Sequence, residues 1–582
     1  MLNWMILLLV MLIELYSFSL TGSSLVIENK FLEYCHLAAS KEKRFKNFRR
    51  SSVFLKHIDK TSPESGLACL NYILEEYPDL LSHFEKFREN DIIGNPLTFD
   101  YGSLGSFSPT TLKNIKIAGD LREQFGNTSQ MHIVEIGGGY GGLCQILAQL
   151  DGFASYTIVD SPPCLALARR YLAALEISNV YFKDIKNFTG VRRSDLIISD
   201  LGFFEADPTD QLKWLSYIKK IPHGYLSGFP SANTGSNAVQ PENLISLFYN
   251  EARQGVVKHE ELAIDAKKQI VIWKPSKVLC GPITERPKFN ISSLQNQAQN
   301  AITYSFSGGR LGDNLVAYLH ARWMSYKYGL PLLYMPFPYS DQFCLHDMDV
   351  QFSDSFIFSK THWTQAESQI STKPSATLYI IPFVMESKFE YNWFNLKNQI
   401  PFIKADWEDP SFRAEVIRCL QPKYPVATVV PPKDVISIAV HVRRTEAPVV
   451  AAMFPLKFLP DSFYIEQIQR VAEIFKDKNL YVHIFTDLPD PLTLVNFYKA
   501  AVNNPRIEFG CRAVGNTFYT NVLEDFYSFA NFDCLICSLS HYPMVASLLK
   551  DFAVIISPAY GTVTNDQLEI HQLEIKFKGQ PK

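Results

Sequence analysis

The sequence predicts an α/β protein made of two successive domains, each built on a mainly parallel sheet. Three observations carry this. Short apolar runs alternate with helical stretches twice over, from about 100 to 275 and again from 301 to 582, and strands that alternate with helices indicate parallel sheets covered on both faces. Between these regions, 276–300 is rich in Pro, Asn, Gln and Ser with little periodicity, and reads as a linker. Finally, 582 residues are more than one hydrophobic core ordinarily organises.

The chain opens on an apolar segment, 1–22. Its core from Trp4 to Ile13 has signal-peptide length, and the run to Leu20 would barely span a bilayer. Glu14 disfavours a span, and no Lys or Arg precedes the run as a signal peptide would want. Lys30, Lys41, Lys43, Arg44, Lys46, Arg49 and Arg50 follow it, which for an anchor places the rest on the cytoplasmic side. Three readings stay open: an anchor or peripheral membrane contact, a cleaved signal leading to secretion, and a start codon further in, at Met5 or Met11. Residues 30–95 then read as a helical cap, because "SGLACLNYILEEYPDLLSHFEKF" has apolar residues at helical spacing and no strand alternation.

Composition narrows the partners. A net charge of −3 without a polybasic run gives no electrostatic support for a nucleic-acid partner. The single Cys-x-x-Cys, Cys534 to Cys537, lies in an apolar run, and a zinc site would need a second pair at ligand spacing. The cysteines are therefore expected to be reduced core residues, with no metal. Together with the basic flank, this favours the cytoplasm or the cytoplasmic face of a membrane.

In the first region the strand candidates are "HIVEIG", "SYTIVD", "NVYFKDI", "DLIISD", "GYLSGF" and "QIVIWKP". Behind the first strand stand five glycines in six positions, 137–142, leading into a helix from about Leu143. Such a turn allows close approach of a ligand to the backbone, and the helix behind it offers unpaired N–H groups. Glycines alone do not separate dinucleotide enzymes from S-adenosylmethionine enzymes. The acids do. Glu135 ends the first strand and Asp160 the second, about 25 residues on, where a carboxylate can take both hydroxyls of a ribose. Asp184 follows the third strand, and Asp200 and Glu205 the fourth. That order is the one seen in S-adenosylmethionine methyltransferases, with the glycines making room for the amino-acid and ribose part of the cofactor; a purely conformational turn is the alternative.

"FDYGSLGSFSPTTLKNIKIAGDLREQFG", followed by "IVEIGGGYGGLCQIL" and "TIVDSP", resembles the sugar O-methyltransferases of polysaccharide gene clusters over roughly 95–275. The resemblance implies a Rossmann-like S-adenosylmethionine methyltransferase domain over 96–275. Its cofactor residues would be Glu135, Gly137, Gly138, Gly139, Tyr140, Gly141, Asp160, Ser161 and Asp200, with Asp184 near the adenine. Methyl transfer to a hydroxyl needs an in-line approach and late removal of a proton. Asp200, Glu205 and His223 are the candidate bases, each expected beyond a strand end on the ligand side, with Glu205 the first choice.

In the second region "VISIAVHVRRTEAP" is a β-branched strand ending in His441, Arg443, Arg444 and Glu446. Two arginines leaving a buried strand suit a diphosphate, with surface ion pairs as the alternative. Upstream, "YSFSGGRLGDNLVAYLHARW" gives a strand, a glycine turn with Gly309 and Gly312, Asn314 and a long helix. Further strands are "LYVHIFTD", ending in Asp487, "FDCLICS" and "AVIISP"; Ser538 and Ser540 form a turn that can cap phosphate oxygens. This set resembles the alpha-1,2 and alpha-1,6 fucosyltransferase superfamily over about 301–560. The resemblance implies a GT-B-like glycosyltransferase domain over 301–582 that transfers fucose from GDP-fucose with inversion and without a metal. Arg443 and Arg444 would stabilise the leaving GDP, and Gly309, Gly312, Asn314, His441, Ser538 and Ser540 would bind the donor, with Asp525 on the preceding helix. Where alpha-1,6 enzymes carry a lysine and a glutamate, this chain has the apolar "APVVAAMF", including Ala447 and Ala451. Glu446 is left as the acceptor-side base, and a non-catalytic glycan- or nucleotide-sugar-binding domain stays open as the alternative. Asp347 and Asp349 form a D-x-D that follows no apolar strand, so a metal is not expected there. Together the halves predict a bifunctional enzyme that modifies a glycan or polysaccharide acceptor.

Overall fold

The computed structural model describes residues 30–58, 62–229, 239–250, 253–259, 268–275, 299–306, 309–364, 367–383, 405–445, 451, 454–517, 519–564 and 567–579. The apolar segment 1–22, nearly all of the linker 276–300, and Glu446 with Ala447 lie outside the described residues. Among the described residues no helix is long and apolar enough to cross a membrane. They form two compact units, the first within Met1–Pro241 and His259–Lys274, the second within Glu242–Lys258 and Pro275–Lys582. Residues 242–258, expected inside the first α/β region, thus belong with the second unit. Their strand Arg253–His259 covers the otherwise open edge of a C-terminal strand, Gln567–Lys578, which removes an exposed row of backbone donors and acceptors.

The first unit begins with short helices. Ser62 caps one of them, Pro63–Glu76, by accepting from Ser65 N, with Pro63 at its first position. The long helical pattern read from the sequence breaks at Pro78, which has no N–H to continue the ladder, and resumes as a 3-10 turn over Pro78–His83. Then follow α1 (Pro109–Phe125), β1 (His132–Ile136), α2 (Gly142–Leu150), β2 (Ser155–Asp160), α3 (Pro162–Ala174), β3 (Val180–Asp184), β4 (Leu196–Asp200), α4 (Gly202–Glu205), α5 (Pro208–Ile218), β5 (His223–Gly228) and β6 (Gln269–Pro275). The strand order is β3-β2-β1-β4-β5-β6, parallel except for β6. The central strands are buried along their length, as their continuous apolar runs require in a parallel sheet. The order reverses between β1 and β4, which opens a crevice at the carboxyl ends of these strands. Glu135 stands opposite both Ile158 and Ile198, so Asp160 and Asp200 lie level with Gly137, one on each side.

The second unit carries a small parallel sheet of β7 (Ala301–Tyr304), β8 (Lys360–Trp363) and β9 (Thr377–Ile381), ordered β7-β9-β8, with α6 (Leu311–Tyr328) after β7. Its larger sheet comprises β10 (Ile436–Val442), β11 (Leu480–Thr486), β12 (Ile507–Cys511), β13 (Cys534–Cys537), β14 (Val554–Thr564) and β15 (Gln567–Lys578). Between these strands run α7 (Asp461–Ile474), α8 (Pro491–Val502), α9 (Val522–Ser528) and α10 (His541–Ala546). The order β12-β11-β10-β13-β14 is parallel, and β15 turns back antiparallel on β14. Here too the strand order reverses, between β10 and β13. One apolar core joins Ile302 and Leu315 to Ala439, Phe485 and Leu535. Cys534 and Cys537 are buried free thiols, the latter within this core.

Candidate functional site

In the first unit Gly137, Gly139 and Gly141 adopt positive φ, at 78°, 55° and 91°. The glycines do not simply make room for a ligand, however. A Cβ on Gly137 would sit 2.8 Å from Gly202 Cα, one on Gly138 2.6 Å from Glu135 Oε2, and one on Gly141 2.9 Å from a Leu172 methyl. Protein atoms occupy that space, so the turn is glycine-rich because it is packed. Only Gly139 is more open, with Ile58 Cδ1 3.5 Å from its Cβ position.

Asp160 fastens this turn. Its carboxylate accepts from Gly139 N at 2.9 Å and from Ser161 N at 2.6 Å, while burial pushes its pKa upward. The Cys164 side chain also donates toward this carboxylate and favours its ionised form. Glu135 is buried beneath Gly138 and accepts from Tyr156 Oη at 2.9 Å. Burial, only partly countered by that hydrogen bond, pushes its pKa up to about 8. Asp184, expected near the adenine, caps the turn after β3, accepting from Lys186 N and Asn187 Nδ2 at 3.1 Å. Tyr140 is displaced from the expected role: it is a core side chain whose hydroxyl donates to Asn90 Oδ1 at 3.0 Å and whose ring meets Tyr171 edge-on.

The candidate bases separate. Asp200 pairs with Lys113 and, at 2.9 Å, with Lys268, and accepts from Ser227 Oγ at 2.7 Å. Burial would raise its pKa, but the two ammonium groups outweigh it and hold the carboxyl well below the usual range. A carboxylate held this far down is a poor general base. Glu205 is exposed at the end of α4. His223 begins β5 instead of following a strand, with Nδ1 2.9 Å from Asp195 O and its ring against Phe125. It stands at the edge opposite the crevice, on the order of 15 Å away along the strand, and is no base for chemistry there.

Sequence reasoning missed the cap's hold on this turn. Asn90 Nδ2 donates to Gly142 O at 2.8 Å and to Gln145 Oε1 at 3.0 Å, and Arg49 reaches Asn90 O at 3.0 Å and Asp91 at 2.9 Å. A lone asparagine in a helical stretch gives no signal of this.

The second unit contains a cavity of about 470 Å³ beside the reversal of its larger sheet. Arg310, Arg443 and Lys457 line it, together with Asp313, Asp487 and His441. Gly309, Gly312, Asn314 and Ser540 line it as well. Gly312 is needed because a Cβ there would lie 2.5 Å from Tyr542 N, so the start of α6 abuts α10. His541 Nδ1 lies 2.6 Å from Asp313 Oδ1. Burial opposes ionisation of Asp313, but His541, Lys457 and Arg443 prevail and lower its pKa.

The two arginines part company. Arg443 faces the cavity, packing over Phe458 at 5.1 Å. Arg444 does not line it; its guanidinium pairs with Asp461 and donates to Leu459 O at 2.9 Å. The expected phosphate role of Arg444 is therefore replaced by a packing role. Ser538 is buried and absent from the lining, unlike Ser540. Asp487 accepts from Arg444 N at 2.6 Å and Thr445 N at 3.1 Å, leaving Oδ2 buried without a hydrogen-bond partner among the described residues. His441 Nδ1 is likewise unmatched, and burial, reinforced by Arg443, holds the ring's pKa down to about 3. Asp525, off the cavity, holds the lining residue Asn516 at 3.0 Å. Lys457, Asn516 and Tyr519 were not singled out from sequence, since Lys457 ends a short 3-10 turn and the other two come from a loop, none of them in a motif. Asp347 and Asp349 are occupied by Lys423 and Arg322.

No family model matches the chain, and no curated protein matches it. Among solved structures, a sarcosine dimethylglycine methyltransferase candidate from Galdieria sulphuraria is 18% identical over 20% of this chain and 48% of its own, with a TM-score of 0.18. A SAM-dependent methyltransferase from Aquifex aeolicus is 16% identical over 27% of this chain and 88% of its own, at 0.22. CalS10, an amino pentose methyltransferase from Micromonospora echinaspora solved with bound SAM, is 12% identical over 28% and 90%, at 0.22. Part of the chain is thus similar to SAM-dependent methyltransferases, and the first relative is matched over about half its length. At scores this low the likeness carries no argument about activity.

Proposed function

We propose that the chain is a two-site carbohydrate-modifying enzyme. Its first unit transfers a methyl group from S-adenosylmethionine to a sugar hydroxyl, and its second transfers fucose or a related sugar from a GDP-sugar to a glycan. The observation that carries this is that each unit gathers a different ligand-ready set at the crossover of its own sheet. Acids flank a packed glycine turn in one, and cations surround a cavity in the other.

In the first unit the residues fit the cofactor. Asp160 stands at the second strand end beside the glycine turn, where a ribose diol would lie, and Glu135 is a buried acid under the turn with a raised pKa. Bound there, S-adenosylmethionine supplies an electrophilic methyl on a sulfonium. Asp160 would orient the ribose, and Asn90 would keep the turn in place. In the second unit Arg443, Lys457 and Arg310 would bind the diphosphate and offset the charge that develops on the leaving GDP, a role open to guanidinium groups in a water-poor site. The GT-B-like fold belongs to this same proposal.

Calorimetry of the full chain with S-adenosylhomocysteine and with GDP tests it. Saturable binding of both, each unaffected by the other, is expected. Binding of S-adenosylhomocysteine alone would leave a methyltransferase with a second unit of other purpose, and binding of neither would sink the proposal.

A further inference from the structure

Lys113, Asp200 and Lys268 meet at the ligand edge of the first sheet. Asp200 ends β4 level with Gly137. Its Oδ2 faces Lys113, from the start of α1, and its Oδ1 takes Lys268 at 2.9 Å and Ser227 Oγ at 2.7 Å. The next residue, Leu201, is held at φ 74°, uncommon for a residue with a Cβ, by donating N–H to Ser227 O at 2.7 Å. The cluster is not sealed: the Lys113 side chain is 24% exposed and that of Asp200 18%, against 5% for Lys268.

An ammonium carries three donors and an ionised carboxylate about four acceptor positions, so Lys113 and Asp200 both retain capacity toward the open side. An ionised acid held between ammonium groups is complementary to an amino-acid zwitterion, which presents a carboxylate and an ammonium on one carbon. We infer that this cluster holds the amino-acid end of the sulfonium donor, Lys113 taking its α-carboxylate and Asp200 its α-ammonium. The inference rests on the methyl-transfer reading; of the two roles expected of Asp200, base and cofactor residue, it keeps the second and specifies it.

Three probes separate the claims when titrated calorimetrically into the full chain. S-adenosylhomocysteine carries both groups, its decarboxylated analogue only the ammonium, and methylthioadenosine neither. The wild-type chain should bind S-adenosylhomocysteine about 10- to 100-fold more tightly than the decarboxylated analogue, the range expected for one charge-assisted hydrogen bond. Lys113→Met should close that gap while leaving methylthioadenosine affinity unchanged, and Lys113→Arg should keep most of it. No gap in the wild type, or an undiminished gap in Lys113→Met, overturns the inference. Should Lys113→Met lose methylthioadenosine as well, Lys113→Gln decides by the same gap. A wild-type chain that binds none of the three sinks the methyl-transfer reading itself, a result distinct from a missing gap.

Discussion

Arg443 lines the cavity of the second unit, whereas Arg444, its neighbour in the chain, ion-pairs with Asp461 outside that lining. Their substitution should therefore fail in different ways. Arg443→Ala should weaken GDP binding about 10- to 100-fold, the loss expected when one charged ligand contact disappears, with little change in Tm. Arg444→Ala should cost about 1–3 kcal/mol of stability, because it also strips donors from Leu459 O and Arg443 O. Calorimetry and thermal melting separate the two; equal GDP loss without a Tm change in Arg444→Ala would refute the division.

Sequence alone assigned both arginines to one diphosphate and did not resolve that division. Successive side chains on a strand alternate faces, and weighing this would have set the two arginines apart. His223 was expected on the ligand side, yet it directly precedes the run "GYLSGF", and strand polarity would have set it at the far end of β5. The strand candidates ended at "AVIISP" and so missed β15, whose apolar alternation at Leu568 and Ile570 resumes out of step at Leu573, beside the register shift with β14. Other features were hidden for a physical reason. Asp200 meets Lys113 and Lys268 across long stretches of chain, and no local pattern encodes such a meeting. The glycines of the first turn looked like room for a ligand because sequence reports the missing Cβ and not what fills its place.

Gly202 shows what fills it. A Cβ at this position would lie 2.7 Å from Ile136 O and 2.8 Å from Gly137 Cα, backbone atoms that cannot rotate aside. Gly202→Ala should lose at least about 2 kcal/mol through overpacking. Gly152→Ala, with φ 73° and nothing within 4 Å of its Cβ, should lose only the conformational share, about 1 kcal/mol. Urea denaturation of both variants checks the ranking, and a larger loss at Gly152 would overturn it.

Glu135 should make the first unit less stable as pH rises. Its pKa is raised to about 8 from an ordinary 4.5, so the protonated acid is tolerated at low pH and the unfolded chain gains by ionising first. The loss builds between about pH 4.5 and 8 and then levels. Glu135→Gln keeps an acceptor for Tyr156 Oη and cannot ionise. Its stability relative to wild type should rise through that window by on the order of a few kcal/mol, measured without ligand. A difference that does not vary with pH would remove the buried-acid account.

His441 should act in the opposite direction in the second unit. Its pKa is lowered from 6.5 to about 3, by burial first and then by Arg443. Its contribution is present above pH 6.5 and is lost as pH falls toward 3, because the unfolded chain takes up the proton that the folded chain refuses. Wild type should thus lose stability relative to His441→Gln across that interval. Bound GDP adds a sharper test, since its phosphates would offset the Arg443 charge that helps keep His441 neutral. GDP binding near pH 5 should then be accompanied by proton uptake, seen as a buffer-dependent heat in calorimetry, and His441→Gln should abolish that uptake. Proton uptake that survives in His441→Gln would place the titrating group elsewhere in the cavity.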